Sequence, residues 1–165
     1  MVMQIRQVRL DDLERLMFLE RENFLPNEAI TETAMREQIK TISDSFLVAE
    51  IDNQVVGYIT AHARQDKYLK DDVFMGAVPN QVDGGYFIIS ALSVAKSHQG
   101  QGIGSSLLAT MKDLAVAQDR QGLSLTCHDH LISYYVMNGF VDEGESNTSN
   151  LGGYQWYNLV WYAPA

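Results

Sequence analysis

The sequence predicts a single α+β domain spanning residues 1–165, a mixed sheet of about seven strands with four helices on its faces. Three observations lead there. The hydrophobic period alternates between two and three-to-four, in the order β-α-α-β-β-β-α-β-α-β-β. A strongly apolar strand over residues 86–94 runs into a Gly-rich turn and directly into a long helix. No repeat, low-complexity tract or Pro/Ser-rich linker divides the chain.

Residues 4–8 alternate as a short strand. Asp11 reads as the N-cap of a helix ending near Phe24, in which Leu13, Leu16, Met17, Leu19 and Glu20 recur at spacings of three and four. Pro26 and Asn27 break it. Thr31 can cap a second helix, reaching about Ile42, with Ala34, Met35 and Ile39 inward. Residues 46–51 and 55–63 then read as strands joined by Asp52 and Asn53, which tolerate the positive φ of a tight hairpin. Residues 67–83 are polar, with Gly76, Pro79 and Asn80, and predict a loop with at most a helical turn.

After the strand at 86–94 and the turn at 97–104, residues 103–120 predict a helix with Leu107, Leu108, Met111, Leu114 and Ala115 inward, ended by Gly122. Residues 123–127 are a further strand and 131–138 a short helix closed by Gly139. Residues 140–143 and 155–161 complete the sheet, separated by a Ser/Asn/Gly loop.

Bulk properties exclude several functions. The chain has 165 residues and a net charge of -9, opposite to what neutralising nucleic-acid phosphates requires. No apolar run approaches a membrane span, and the N-terminus lacks a signal-peptide pattern. The single cysteine, Cys127, excludes an internal disulfide and fits a reducing, cytoplasmic setting. Cys127, His128 and His130 superficially resemble metal ligands, but no second group at zinc-site spacing accompanies them, so no metal is expected.

The richest segment is the turn Gln99-Gly100-Gln101-Gly102-Ile103-Gly104-Ser105. A helix start presents unpaired N–H groups and the positive end of the dipole, which bind phosphate, and glycines let the backbone approach the anion. The turn is not a Walker loop, because no Gly-Lys-Ser/Thr follows, and its spacing is not that of a dinucleotide fingerprint. Gln99-x-x-Gly102-x-Gly104 instead resembles the Gln/Arg-x-x-Gly-x-Gly/Ala signature of the GNAT superfamily of N-acetyltransferases. About thirty residues on, Tyr134-Tyr135-Val136-Met137-Asn138-Gly139-Phe140 resembles that family's Phe-Tyr-x-x-x-Gly-Phe segment. Residues 91–94 resemble its central strand, and the order of elements matches from end to end. Residues 19–24 more loosely resemble the arylalkylamine-type branch, but Ile88 and Ser90 stand where that branch carries two histidines, so its histidine proton route does not transfer.

The resemblance implies a three-layer α/β/α fold with a mostly antiparallel sheet. It implies acetyl-CoA as cosubstrate, with its pyrophosphate on Gln99 to Ser105 and its pantetheine arm along Leu92, Ser93 and Val94. His128 stands where many members have a CoA-contacting Asn. Direct transfer to an amine, without an acyl-enzyme, is implied. Tyr135, four residues before Gly139, matches the family's general acid, and Tyr134 matches its packing Phe. An amine with a pKa of ~10.4 is neutral only about one part in a thousand at pH 7, so a base is useful. Glu22 at the end of the first helix and Ser90 as a water-mediated relay are the candidates. His62 reads equally as a solvent-facing strand residue, and His98 as a surface residue beside the turn.

The acceptor stays open among a small amine, a polyamine, an amino acid and an antibiotic. The rival readings are a sensor that holds acyl-CoA without transfer and a protein N-acetyltransferase. The aromatic C-terminus, with Trp156, Tyr157, Trp161 and Tyr162, fits a homodimer or equally a monomer with one buried strand face.

Overall fold

A computed structural model describes residues 2–68, 70, 78–147 and 153–165. The helical turn considered within residues 67–83 falls largely, and the loop before the last strand partly, outside those residues.

Seven strands form one sheet: β1 (Met3–Gln7), β2 (Phe46–Ile51), β3 (Gln54–Arg64), β4 (Tyr86–Val94), β5 (Gly122–Cys127), β6 (Val141–Glu145) and β7 (Tyr157–Tyr162). Their spatial order is β1-β2-β3-β4-β5-β7-β6, antiparallel throughout except for the parallel β4–β5 pair. Helices α1 (Leu13–Asn23) and α2 (Glu32–Thr41) cover one face, and α3 (Ile103–Ala117) and α4 (Ile132–Met137) the other. The period-two strands therefore bury two faces. Phe46, Val48 and Tyr58 meet Leu16, Leu19 and Met35 on the first, while Leu47, Ile59 and Phe87 meet Leu107, Leu108 and Met111 on the second. The three-layer α/β/α reading holds.

Local chemistry accounts for most boundaries. The Thr31 hydroxyl accepts the Ala34 N–H at 3.1 Å and starts α2. Asp52 and Asn53 adopt φ of 52° and 66° in the β2–β3 turn, the left-handed geometry that hairpin needs. Gly139, at φ 90°, stops α4.

Two expectations are corrected. Asp11 does not cap α1: residues 10–12 form a 3-10 turn, and it is Asp12 that accepts the Arg9 N–H at 2.8 Å. Gly122 does not end α3, which stops at Ala117 and turns through Asp119 at φ 57°. Gly122 lies inside β5, where a Cβ would stand 2.0 Å from the Trp161 carbonyl oxygen of β7. Close packing of two backbones, rather than a turn, demands that glycine.

One irregularity positions everything that follows. On β4, Ala91 pairs with Thr60 and Ile89 with Ala61, leaving Ser90 as an extra, bulged residue. A bulge bends its strand and strengthens the local twist. The pairing of β4 with β5 stops at Ile88–Ser124, just before it. Beyond that point β5 stays paired with β7 through Cys127, so the sheet opens into a cleft between β4 and β5.

A candidate acyl-transfer cleft

The cleft holds a cavity of about 480 Å3. Its walls are β4 from Ile89 to Leu92, the end of β5, the segment joining α1 to α2, and Tyr135 of α4.

At the foot of the open β4 edge, α3 begins. Gly100 and Gly102 sit at φ of 80° and 82°, and an added Cβ would meet nothing within 4 Å at either among the described residues. Glycine is needed there for the left-handed backbone, not for room, and the turn lies open. Ile103 is buried and anchors the first turn in the core. Among the described residues no side chain caps that turn, so its leading N–H groups can serve as donors for an outside acceptor. Gln101 is exposed and Ser105 half-buried beside it, and His98 is half-buried next to the turn. Gly104 admits the Tyr134 ring, whose hydroxyl would be 2.5 Å from a Cβ at that position.

The adjoining residues brace this turn against α1. Asn23 Nδ2 donates to Ser93 Oγ at 2.6 Å and to the Val94 carbonyl at 2.9 Å. Gln99 Nε2 donates to the same carbonyl at 3.1 Å and to Asn23 Oδ1 at 3.2 Å. Leu92 and Val94 pack towards the α3 face. The Gln99 side chain is thus a strut that fixes where the Gly-rich backbone stands.

Tyr135 lines the cavity at 8% exposure, its ring edge-on to Tyr134 and Phe140 at 5.2 and 5.6 Å. Burial pushes its hydroxyl above the ordinary tyrosine range, and Cys127 and Tyr134 push the same way. The phenol therefore stays protonated and available as a donor. Cys127 also lines the cavity, with its thiol pushed up to about 12, chiefly by burial and then by Asp142 and Asp129. Such a thiol is not a nucleophile near neutrality.

The two residues read as base candidates have partners. Glu22 Oε1 accepts the Lys96 backbone N–H at 2.5 Å. Ser90 Oγ lies 3.0 Å from Nε2 of His62. His62 is fully buried rather than solvent-facing, because it stands on β3, an interior strand paired on both sides by β2 and β4. Burial and the nearby Arg64 charge lower its pKa to about 3, so the ring is neutral, and its Nδ1 has no partner among the described residues.

A carboxylate outside the predicted site set is Glu20. It lines the cavity at only 3% exposure and accepts hydrogen bonds from the Tyr58 hydroxyl and from the Ile30 N–H at 2.9 Å. Burial raises its pKa, and those two bonds only partly offset the rise. Its signal was in the sequence: a carboxylate within the inward stripe of α1. A buried acid must have a partner, and only the fold reveals that the partner is Tyr58.

At the mouth, His128 Nε2 meets Glu28 Oε1 at 2.8 Å, joining the end of β5 to the α1–α2 segment across one hundred residues. The His128 ring stacks on Trp156 at 4.3 Å and on His130 at 5.9 Å, with Tyr154 edge-on at 5.2 Å. Among the described residues no group of three metal-ligating side chains occurs, and no helix is long and apolar enough to cross a membrane.

The model of the acetyltransferase (GNAT) family matches residues 9–140. Solved structures of the same fold include a GNAT-like decarboxylase, GphF, in complex with isobutyryl-CoA, at 14% identity and a TM-score of 0.82 over 98% of this chain and 100% of that one. Ard1 from Thermoplasma volcanium matches at 16% identity and a TM-score of 0.79, covering both chains fully. The PaiA N-acetyltransferase from Thermoplasma acidophilum, solved with coenzyme A, matches at 16% identity and a TM-score of 0.71 over 98% and 99%. No curated protein sequence is similar enough to count as a relative.

Proposed function

The chain belongs to the acetyltransferase (GNAT) family, and from that membership we propose that it moves an acetyl group from acetyl-CoA to a primary amine by direct transfer. The observation that carries this reading is the parting of β4 from β5 at Ser90, which opens one cavity beside an uncapped, glycine-led helix start and a buried, protonated tyrosine.

The residues fit coenzyme A at its two recognition points. Gly100, Gly102 and the first turn of α3 offer N–H groups and a positive dipole end to a pyrophosphate. Beyond Ile88, β4 has no strand partner on its β5 side among the described residues, so residues 89–93, short of the Val94 carbonyl that Asn23 and Gln99 already occupy, can pair with an amide-bearing arm. His128 joins that wall from the end of β5. The thioester then lies in the cavity that Tyr135 lines.

The amine lone pair attacks the thioester carbonyl, the carbon–nitrogen bond forms, and the carbon–sulfur bond breaks. Tyr135 gives its proton to the departing sulfur and is reprotonated from solvent. The proton lost from nitrogen goes to a base. Glu22 and Ser90 line the same cavity, with Ser90 held 3.0 Å from the neutral His62 ring. Glu20 is the better-supported acceptor: it is a carboxylate whose pKa burial raises above the ordinary 4.5, the direction that suits a general base. The protonated thiol of Cys127 supports transfer without an acyl-enzyme.

The test is release of free CoA thiol from acetyl-CoA across a panel of primary amines and peptides, with Tyr135→Phe beside the wild type. Amine-stimulated release that falls at least tenfold in Tyr135→Phe supports the reading, a loss of about 1.4 kcal/mol of transition-state stabilisation. Acetyl-CoA binding without stimulation by any amine favours a sensor role. Stimulation by peptides alone favours a protein acetyltransferase.

A further inference from the structure

The bulged residue of β4 is held by a side chain to which the transfer reading gives no role. Ser90 has no counterpart across the β3–β4 ladder, and its Oγ meets Nε2 of His62 at 3.0 Å instead. Tyr58 and Thr60, on the same face of β3, line the cavity. His62, two residues further on, stands fully buried behind that wall.

A neutral imidazole carries one proton, and the hydrogen bonds of its two nitrogens decide which of them holds it. Burial, and after it the Arg64 charge, keep this ring neutral. Its Nδ1 is buried with no partner among the described residues. A proton there would leave an orphaned N–H, a rarer defect in protein interiors than an under-satisfied acceptor. The proton therefore belongs on Nε2, which makes His62 the donor and Ser90 Oγ the acceptor. The hydroxyl hydrogen of Ser90 is then left without an acceptor among the described residues, at a position that lines the cavity.

With a pyrophosphate at the start of α3 and the arm running back along β4, a thioester arrives at the bulge. Resting on that transfer reading, we propose that the Ser90 hydroxyl donates a hydrogen bond to the acyl oxygen as it gains negative charge, and that His62 is the residue that positions this donor. No proton moves in the contact. The oxygen takes up the electron pair displaced by the attacking amine and returns it as the carbon–sulfur bond breaks. A donor aimed beforehand costs no reorganisation at that moment. Ser90 thus acts on the oxygen, and the proton of the amine is left to a carboxylate.

The experiment reads the tautomer and the rate. Nitrogen-15 NMR of protein labelled at histidine, with the His62 signals assigned by their loss in His62→Gln, is expected to show at pH 7 a neutral ring protonated on Nε2. A ring protonated on Nδ1 overturns the proposal, because Ser90 must then donate to His62. Ser90→Ala is expected to lower kcat about tenfold or more, with the KM for acetyl-CoA held within about threefold. A smaller fall in kcat, or a loss carried mainly by KM, overturns the role of the hydroxyl.

Two variants separate positioning from packing. His62→Gln keeps an N–H donor near the place of Nε2 and is expected to retain kcat within about threefold. His62→Phe keeps a ring without a donor and is expected to fall as far as Ser90→Ala, with the double variant no lower than either. Additive losses in the double variant overturn the positioning role. Where His62→Phe does not fold, the tautomer and Ser90→Ala decide. A wild type that shows no amine-stimulated thiol release overturns the transfer reading and this proposal with it. Release that Ser90→Ala leaves unchanged overturns this proposal alone.

Discussion

Glu20 of α1 accepts a hydrogen bond from the hydroxyl of Tyr58 of β3 at the floor of the cavity. The two residues set each other's titration. Burial raises the Glu20 pKa, while the Tyr58 and Ile30 donors, which favour the charged form, pull it back down without cancelling the rise. A base must be ionised to act, so kcat/KM is expected to climb with pH through a value above the ordinary 4.5. Tyr58→Phe removes a donor to the carboxylate, so that limb is expected to move to higher pH. Glu20→Gln is expected to remove the limb and to lower kcat/KM by about 10²–10⁴-fold. A pH–rate profile of the three proteins checks this, and a limb unmoved in Tyr58→Phe excludes Glu20 as its source.

Cys127 tests the direct route. Its thiol faces the cavity with a pKa pushed up to about 12, which leaves almost no thiolate at pH 7–8. Cys127→Ala is expected to keep kcat within about threefold, since it removes one small buried group and no reacting atom. Native Cys127 is expected to resist alkylation until the protein is unfolded. Loss of activity by a hundredfold or more, with CoA binding intact, would restore an acyl-enzyme.

The acid network at the start of α1 fixes where the helix enters. Arg6 donates to both Asp12 oxygens at 2.9 and 3.0 Å and to Glu50 at 2.7 Å. Burial pushes the Asp12 carboxyl up, but the Arg6 guanidinium and the Arg9 N–H outweigh it and hold it below the ordinary 3.8. A depressed acid stabilises the fold above its unfolded pKa, and that contribution is lost as pH falls through the folded value. Asp12→Asn is expected to cost about 1.5–3 kcal/mol near pH 7. The difference from wild type is expected to shrink as pH falls below ~4, where aspartate protonates anyway. Urea unfolding at pH 7 and pH 3 checks it, and a gap that does not shrink at all by pH 3 assigns the cost to packing.

These residues show what the sequence can reveal. Period-two and period-3.6 patterning is local, so α1, α2, α3 and every strand could be placed within a few residues. Thr31, Asp52, Asn53 and Gly139 signal through their own backbone chemistry, and each does what its type predicts. The cleft is a different matter. It depends on Ser90 being unpaired across from β3 and on β5 leaving β4 at Ser124, two properties of strand register that no single segment carries. Gly122 was legible as a glycine with a reason, but the reason is the Trp161 carbonyl, on a distant segment of the chain. Glu28 and His128 are a pair only because the cleft brings the α1–α2 segment over the end of β5. Tyr135 was found through a motif, whereas Glu20 needed the partner that folding supplies.

The start of α3 gives a prediction that separates room from charge. Gly104 lies where a Cβ would stand 2.5 Å from the Tyr134 hydroxyl and 3.6 Å from its Cζ. In Gly104→Ala, either the Tyr134 ring or the first turn of α3 must give way, and that turn carries the N–H groups assigned to the pyrophosphate. The KM for acetyl-CoA is therefore expected to rise about tenfold, with kcat changed less. Tyr134→Phe deletes the one atom closer than 3.6 Å, so the double variant Gly104→Ala/Tyr134→Phe is expected to recover most of that loss. Recovery identifies the hydroxyl contact as the cause, because Phe restores no charge and no hydrogen bond. If the double variant binds acetyl-CoA as poorly as Gly104→Ala alone, the added methyl itself obstructs the ligand, and the pyrophosphate sits directly on Gly104.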